Sequence, residues 1–123
     1  MGKTNKVKGD EFEEFLVKLF RGIGDAPRKT KGSGAIRVEP DIVTPYATIE
    51  AKKTDSASFR VTDEVMDDLE RKSAIYDGLR ILAVATAGRK QFVLDIGDFI
   101  IMYKAYLESV KDKGITEAEK PKV

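Results

Sequence analysis

The 123-residue chain contains no cysteine and no histidine. Without cysteine there is no disulfide, no thiol nucleophile and no structural zinc site of the usual kinds. Without histidine, the commonest general base and every histidine-ligated metal site are excluded. Any enzymatic chemistry must therefore come from carboxylates, lysine, serine, threonine or tyrosine, which favours a carboxylate-bound metal.

Long apolar runs are absent as well. No stretch is long enough to span a bilayer, and the basic residues 1–6 have no apolar segment behind them, as a signal peptide would. The length suits one domain, 1–123, with residues 1–8 and 113–123 expected to be flexible. We therefore expect a soluble cytoplasmic protein without membrane contact.

Two short apolar runs, residues 41–44 and 47–52, are separated by a single dipeptide and predict a β-hairpin. Because strand side chains alternate between faces, Glu50 and Lys52 point the same way, and Asp41 can join them from across the hairpin. Two like charges about 4 Å apart repel by roughly 4 kcal/mol at an effective dielectric near 20. Such a pair is retained when a cation joins it, and Mg²⁺ with its oxygen ligands fits.

Apolar spacing predicts three helices, over residues 10–21, 62–77 and 97–110. The predicted strands are a short one near 27–31, the two hairpin strands, a strand buried on both faces at 79–85, and one at 91–96. The order of elements indicates an α/β protein with a central mixed β-sheet flanked by helices.

Local signals give the expected ends of the first two helices. Gly9-Asp10 is expected to begin the first helix, after a mobile lead-in. Thr62 or Asp63 is expected to cap the second, and Asp77-Gly78 to end it. The inner side of the second helix is expected to carry Val65, Met66, Leu69 and either Ala74 or Ile75.

The formal charge is only +1, but it is unevenly distributed. Residues 1–37 carry nine basic and five acidic residues, a balance of +4, whereas residues 61–79 carry two basic and six acidic, a balance of −4. We expect the basic half to surround the hairpin and to contact phosphates. The candidate contacts are Arg28, Lys29, Lys31, Arg37, Lys53 and Arg60.

Pro40-Asp41 followed by Glu50-Ala51-Lys52 resembles the signature of the PD-(D/E)xK nuclease superfamily. The chain is more specifically similar, over residues 8–110, to archaeal-type Holliday junction resolvases and their phage-encoded relatives. Those proteins open their first helix with Lys-Gly, three residues and a glutamate, which carries the helical metal-site glutamate onto Glu13. They also place Gly-Ser ahead of the catalytic aspartate, as Gly32-Ser33 does here.

The resemblance implies a restriction-endonuclease-like core and a homodimer that nicks opposing strands of a four-way DNA junction with Mg²⁺, for which Mn²⁺ can substitute. Asp41, Glu50 and Glu13 would ligate the metal, Glu13 directly or through water, with the Ala51 carbonyl as a further ligand. Lys52 would orient the attacking water, and Ser33 would donate to a phosphate. A phage-encoded protein would act in the host cytoplasm.

Other interpretations remain open at this stage. Asp41 and Glu50 could form a solvated hairpin face paired with Lys52. Glu13 could be a surface carboxylate favoured near a helix N-terminus, with Glu14 as the ligand if the register slips. Ser33 could be a loop serine, and the basic residues a solvated face. The rival functions are another nuclease of this fold, cutting flaps, single strands or duplex, and a catalytically silent DNA-binding module. The aromatic residues Phe99, Tyr103 and Tyr106 are expected to be core or dimer contacts.

Overall fold

The computed structural model of the protein describes residues 4–30 and 39–112. Three of the predicted site residues, Ser33, Lys31 and Arg37, lie outside these ranges. The described elements are α1 (Asn5–Gly22), β1 (Arg28–Lys29), β2 (Ile42–Val43), β3 (Ala47–Lys53), α2 (Asp63–Lys72), β4 (Leu79–Ala85), β5 (Lys90–Val93) and α3 (Ile96–Asp112).

The five described strands form one sheet in the order β1-β2-β3-β4-β5. The pairs β1/β2, β2/β3 and β4/β5 are antiparallel, and β3/β4 is parallel, with α2 in the connection between its strands. The predicted α/β class with a mixed sheet is therefore confirmed. The predicted buried strand β4 is confirmed too, because every residue from 81 to 85 is buried.

The helices α1 and α2 cover opposite faces of this sheet. On one face, Leu69 of α2 packs with Leu82 and Val84 of β4. On the other, the ring of Phe20 in α1 lies 5.8 Å from that of Phe92 in β5. Each face of the sheet is therefore covered by a helix. The hairpin β2–β3 lies in the sheet between these two helical layers.

The hairpin turn is fastened by one threonine. The Thr44 hydroxyl accepts hydrogen bonds from the backbone N–H groups of Tyr46 and Ala47, at 2.9 and 3.0 Å, and the Thr44 N–H donates to the Ala47 carbonyl. On the next connection, the Leu79 N–H donates to the Tyr46 carbonyl at 2.8 Å. These bonds join the turn to the start of β4 and fix the hairpin against the rest of the sheet.

The predicted start of α1 is wrong. The helix begins at Asn5, and the Thr4 hydroxyl caps it by accepting from the Val7 N–H. Residues 5–8 are therefore helical and are not a mobile lead-in. The Gly9-Asp10 pair lies inside the helix, since a strong N-cap upstream outweighs the roughly 1 kcal/mol that an interior glycine costs.

The second helix is shorter than predicted. Thr62 caps it as expected, but it ends at Lys72 with Ser73 as its C-cap. Ser73 is buried and shares a 2.6 Å hydrogen bond with the Thr48 hydroxyl on β3, which fixes the helix end to the sheet. The predicted inner positions Ala74 and Ile75 therefore fall beyond the helix and are exposed.

Residues 94–112 form a second compact unit, separate from the one that ends at Val93. Its helix α3 stacks Phe99 on Tyr103, with ring centroids 5.8 Å apart. Phe99, Tyr103 and Tyr106 are each about half exposed, so the expectation that they are core residues is not met. The dimer-contact alternative and the single-domain organisation stay predictions.

Candidate metal and DNA site

The hairpin register brings the two signature carboxylates together. Ile42 pairs with Ile49 and Val43 with Thr48. Continuing this register by one residue places Asp41 opposite Glu50, and directly opposed residues of an antiparallel pair share a face. The predicted convergence is therefore what the fold produces.

Neighbouring backbone groups hold Asp41 in place. Its carbonyl accepts a hydrogen bond from the Thr30 N–H at 3.0 Å, which extends the β1–β2 ladder by one residue. Its carboxylate oxygen Oδ2 accepts from the Ala51 N–H at 2.8 Å. Two backbone hydrogen bonds, one to its carbonyl and one to its carboxylate, thus orient Asp41.

Glu50 is almost fully buried, at 3% exposure. Burial, together with the negative charge of the neighbouring Asp41, raises the pKa of Glu50 to about 7, although Lys72 opposes the shift. Among the described residues, the Glu50 atom Oε1 is buried without a hydrogen-bond partner. A buried carboxylate oxygen of this kind is unfavourable unless a cation or a proton joins it.

Glu50 forms an ion pair with Lys72, a residue that the sequence analysis did not single out. The Lys72 ammonium donates to Glu50 Oε2 and lies 3.0 Å from an Asp68 oxygen. A paired hairpin face with Lys52 as the partner is therefore not what the structure contains. One signal was available: Val65, Leu69 and Lys72 follow the i, i+4, i+7 spacing that puts a lysine on the inner face of α2.

Glu13 reaches the same site from α1. It is half-buried, whereas its rival Glu14 is exposed. Burial and the nearby charge of Asp41 raise the pKa of Glu13, and Lys29, whose ammonium lies 3.7 Å away, lowers it. The Asp41 charge therefore acts on both Glu13 and Glu50.

Lys52 follows Glu50 on the same face of β3 and borders a cavity of about 490 Å³. The remaining lining comes from α2 and its cap and is mainly acidic, with Glu64, Asp67 and Asp68 against Arg71. The expectation that basic residues surround the hairpin is therefore wrong on this side. The helix crossover between parallel strands brings α2 onto this face, which the charge distribution along the chain does not reveal.

The described basic candidates lie at separate places around the sheet. Arg28 and Lys29 are exposed on the edge strand β1, Lys53 is exposed at the end of β3, and Arg60 is exposed in the following loop. Lys8 of α1 pairs with Asp55 close to Lys53, and it was not predicted. The structure therefore brings some of the cations together but does not collect them on one surface.

Few carboxylates are available to bind a metal ion here, which is compatible with Mg²⁺. Within residues 4–30 and 39–112, no group of three or more acidic side chains is arranged to hold a metal ion as it stands. Mg²⁺, however, usually keeps several waters and binds through one or two carboxylates. Asp41 and Glu50, whose Oε1 has no hydrogen-bond partner in the described structure, would meet that requirement.

The raised pKa of Glu50 gives a testable pH dependence. The pKa of its carboxyl shifts from 4.5 to about 7 on folding. Between these two pH values, the folded state therefore retains a proton that the unfolded state has lost. Stability should therefore fall by roughly 3 kcal/mol as the pH rises through that window, and level off above it. Glu13 is shifted in the same direction and adds to the loss.

Urea unfolding in EDTA at several pH values measures this effect. Glu50→Gln removes the titrating group but keeps the shape, and it should flatten most of the slope. A wild-type protein that is as stable above the window as below it would contradict the assignment, as would a slope that survives in Glu50→Gln.

No family model and no curated protein matches the chain. Twelve solved chains match in structure. One is Hjc from Archaeoglobus fulgidus, a Holliday junction resolvase of an archaeal hyperthermophile, with 20% sequence identity and a TM-score of 0.57 over 68% of this chain and 73% of that one. At this identity the similarity shows a shared fold. In addition, no helix in the described part of the chain is long and apolar enough to cross a membrane.

Proposed function

We propose that the protein is a Mg²⁺-dependent endonuclease that resolves four-way DNA junctions by paired nicks. The observation that carries the proposal is the apposition of Asp41 and the buried Glu50, whose Oε1 has no hydrogen-bond partner in the described structure. The shared fold with an archaeal Holliday junction resolvase supports the choice of substrate. Mn²⁺ is expected to replace Mg²⁺, since both accept carboxylate and water ligands.

Asp41 and Glu50 would hold the metal, with Glu13 completing its shell through water and the Ala51 carbonyl as a further ligand. A divalent ion held by these residues would neutralise charge on the phosphate and lower the pKa of a bound water. Lys52, on the same strand face, would orient the attacking water and balance the charge that develops on phosphorus. Ser33, which lies outside the described residues, would donate to a phosphate.

DNA would be held by the exposed cations on either side of the hairpin. Arg28 and Lys29 lie on the edge strand beside Asp41, and Lys53 follows the Glu-x-Lys segment directly. Arg60, Lys31 and Arg37 complete the proposed set. The acidic cavity beside Lys52 would repel phosphates, so the duplex arms are expected to approach from the β1 side.

A homodimer suits this substrate because two equivalent sites related by a two-fold axis match the symmetry of a four-way junction. The exposed aromatic residues of α3 are the proposed contacts between subunits. The enzyme is expected to act in the cytoplasm.

The test compares nicking of a four-way junction, a flap and a linear duplex of the same sequence. With Mg²⁺ or Mn²⁺, paired nicks in opposing strands are expected at the junction alone; Ca²⁺ or EDTA should abolish them. Equal cutting of all three substrates would point to another nuclease of this fold. Junction binding without any nicking would indicate a catalytically silent module.

A further inference from the structure

We infer that Lys72 is the resident counter-cation of the Asp41–Glu50 pair and that it limits how tightly these carboxylates bind a divalent metal. This inference rests on the proposed metal site. Within the described residues, Lys72 is the one cation in contact with Glu50, and its side chain is half-buried.

The position of Lys72 is fixed by the fold. It occupies the last turn of α2, and the next residue, Ser73, is hydrogen-bonded to Thr48 on the strand that carries Glu50. The Lys72 ammonium pairs with both Glu50 and Asp68, so two carboxylates hold it beside the site.

The two oxygens of Glu50 have different surroundings. Oε2 accepts from Lys72, whereas Oε1 has no hydrogen-bond partner in the described structure. A metal bound by Glu50 and Asp41 would therefore lie close to a positive charge. If the ammonium stays in place, it repels the metal ion. If it is displaced, its ion pair with Glu50 is lost. Either way, metal binding is weakened.

Asp68 gives the displaced ammonium a second partner. Its oxygen lies 3.0 Å from Lys72, so the lysine can leave Glu50 without becoming an unpaired charge. A DNA phosphate adds negative charge to the site and offsets the repulsion. Metal should therefore bind more tightly with DNA present than without it, and this difference should shrink when Lys72 is neutralised.

The test is calorimetric titration of the 123-residue chain with MnCl₂ at about pH 8, well above the usual pKa of a glutamate. Lys72→Gln removes the charge but can still donate a hydrogen bond to Glu50. It should bind Mn²⁺ about tenfold to a hundredfold more tightly than the wild type. Lys72→Arg keeps the charge and should stay within about threefold of the wild type.

Arg71→Gln is the matched control. Arg71 lies next to Lys72 and pairs with the same Asp68, but it is exposed and its described ion pair is with Asp68 rather than Glu50. It should leave Mn²⁺ affinity within about threefold of the wild type, since an exposed charge is screened by solvent. An equal gain in Arg71→Gln and Lys72→Gln would show a general charge effect and overturn the inference.

Folding and function are separated by further readouts. If Lys72→Gln folds poorly, Lys72→Met replaces it, and the rise in Tm on adding Mn²⁺ is measured instead of the affinity. This rise should be larger for Lys72→Met than for the wild type. A wild type that nicks junctions while both neutral variants keep wild-type Mn²⁺ affinity would overturn the role of Lys72 alone. If none of the proteins binds Mn²⁺, the metal site and this inference both fail.

Discussion

Asp41→Asn should reduce Mg²⁺-dependent junction nicking by about 10³-fold, the equivalent of roughly 4 kcal/mol of transition-state stabilisation. The substitution removes the negative charge that acts on both Glu50 and Glu13. The asparagine oxygen can still accept from the Ala51 N–H, so the hairpin should stay folded. Single-turnover nicking of a labelled junction at saturating protein measures the loss.

Glu14→Gln is the control for this prediction. It makes the same type of change on α1, but its side chain is exposed, and nicking should stay within about twofold of the wild type. Junction binding in Ca²⁺ should be retained by Asp41→Asn, which separates lost chemistry from lost binding. Full Mg²⁺-dependent cleavage by Asp41→Asn would show that the metal is held elsewhere.

The convergence of Asp41 and Glu50 could be predicted because it depends on local geometry alone. A short turn fixes the hairpin register, and a register fixes which side chains share a face. No long-range contact is needed for either step. The mixed sheet was predictable for a similar reason, since the order and apolar pattern of the elements limit the arrangements that bury every face.

Helical spacing places Lys72 on the inner face of α2, but its pairing with Glu50 could not be predicted from local geometry. This pairing depends on where α2 crosses the sheet and on where that helix ends, and the end is set by a tertiary hydrogen bond between Ser73 and Thr48. The same crossover brings Glu64 and Asp67 beside Lys52. The charge of each segment could therefore be counted from the sequence, but the sequence did not show which segments lie next to one another in space.

Gly78 shows a different limit of sequence reasoning. Asp77-Gly78 was expected to end α2, but the helix ends five residues earlier, and Gly78 instead precedes β4 with φ of 103°. A Cβ atom at this position would lie 2.1 Å from the Tyr46 carbonyl oxygen. The glycine is therefore required by a close approach between two backbones, which only the assembled fold reveals.

Gly78→Ala should consequently destabilise the protein by roughly 3–5 kcal/mol, because a strained positive φ is combined with a backbone clash. Tyr46 is in the hairpin turn, and its carbonyl accepts from Leu79. To relieve the clash, the turn must move away from β4, which would displace the strand that carries Glu50. We therefore expect Gly78→Ala to weaken nicking even below its unfolding temperature.

Gly24→Ala provides a matched comparison for this prediction. Gly24 has nearly the same φ, 98°, but nothing lies within 4 Å of the position that a Cβ atom would occupy there. This variant should lose only about 1 kcal/mol, the cost of the backbone conformation by itself. The difference between the two alanine variants in urea unfolding therefore isolates the contact between Gly78 and Tyr46. Equal losses would mean that the turn can shift freely, and that the hairpin carrying Asp41 and Glu50 is not held by its approach to β4.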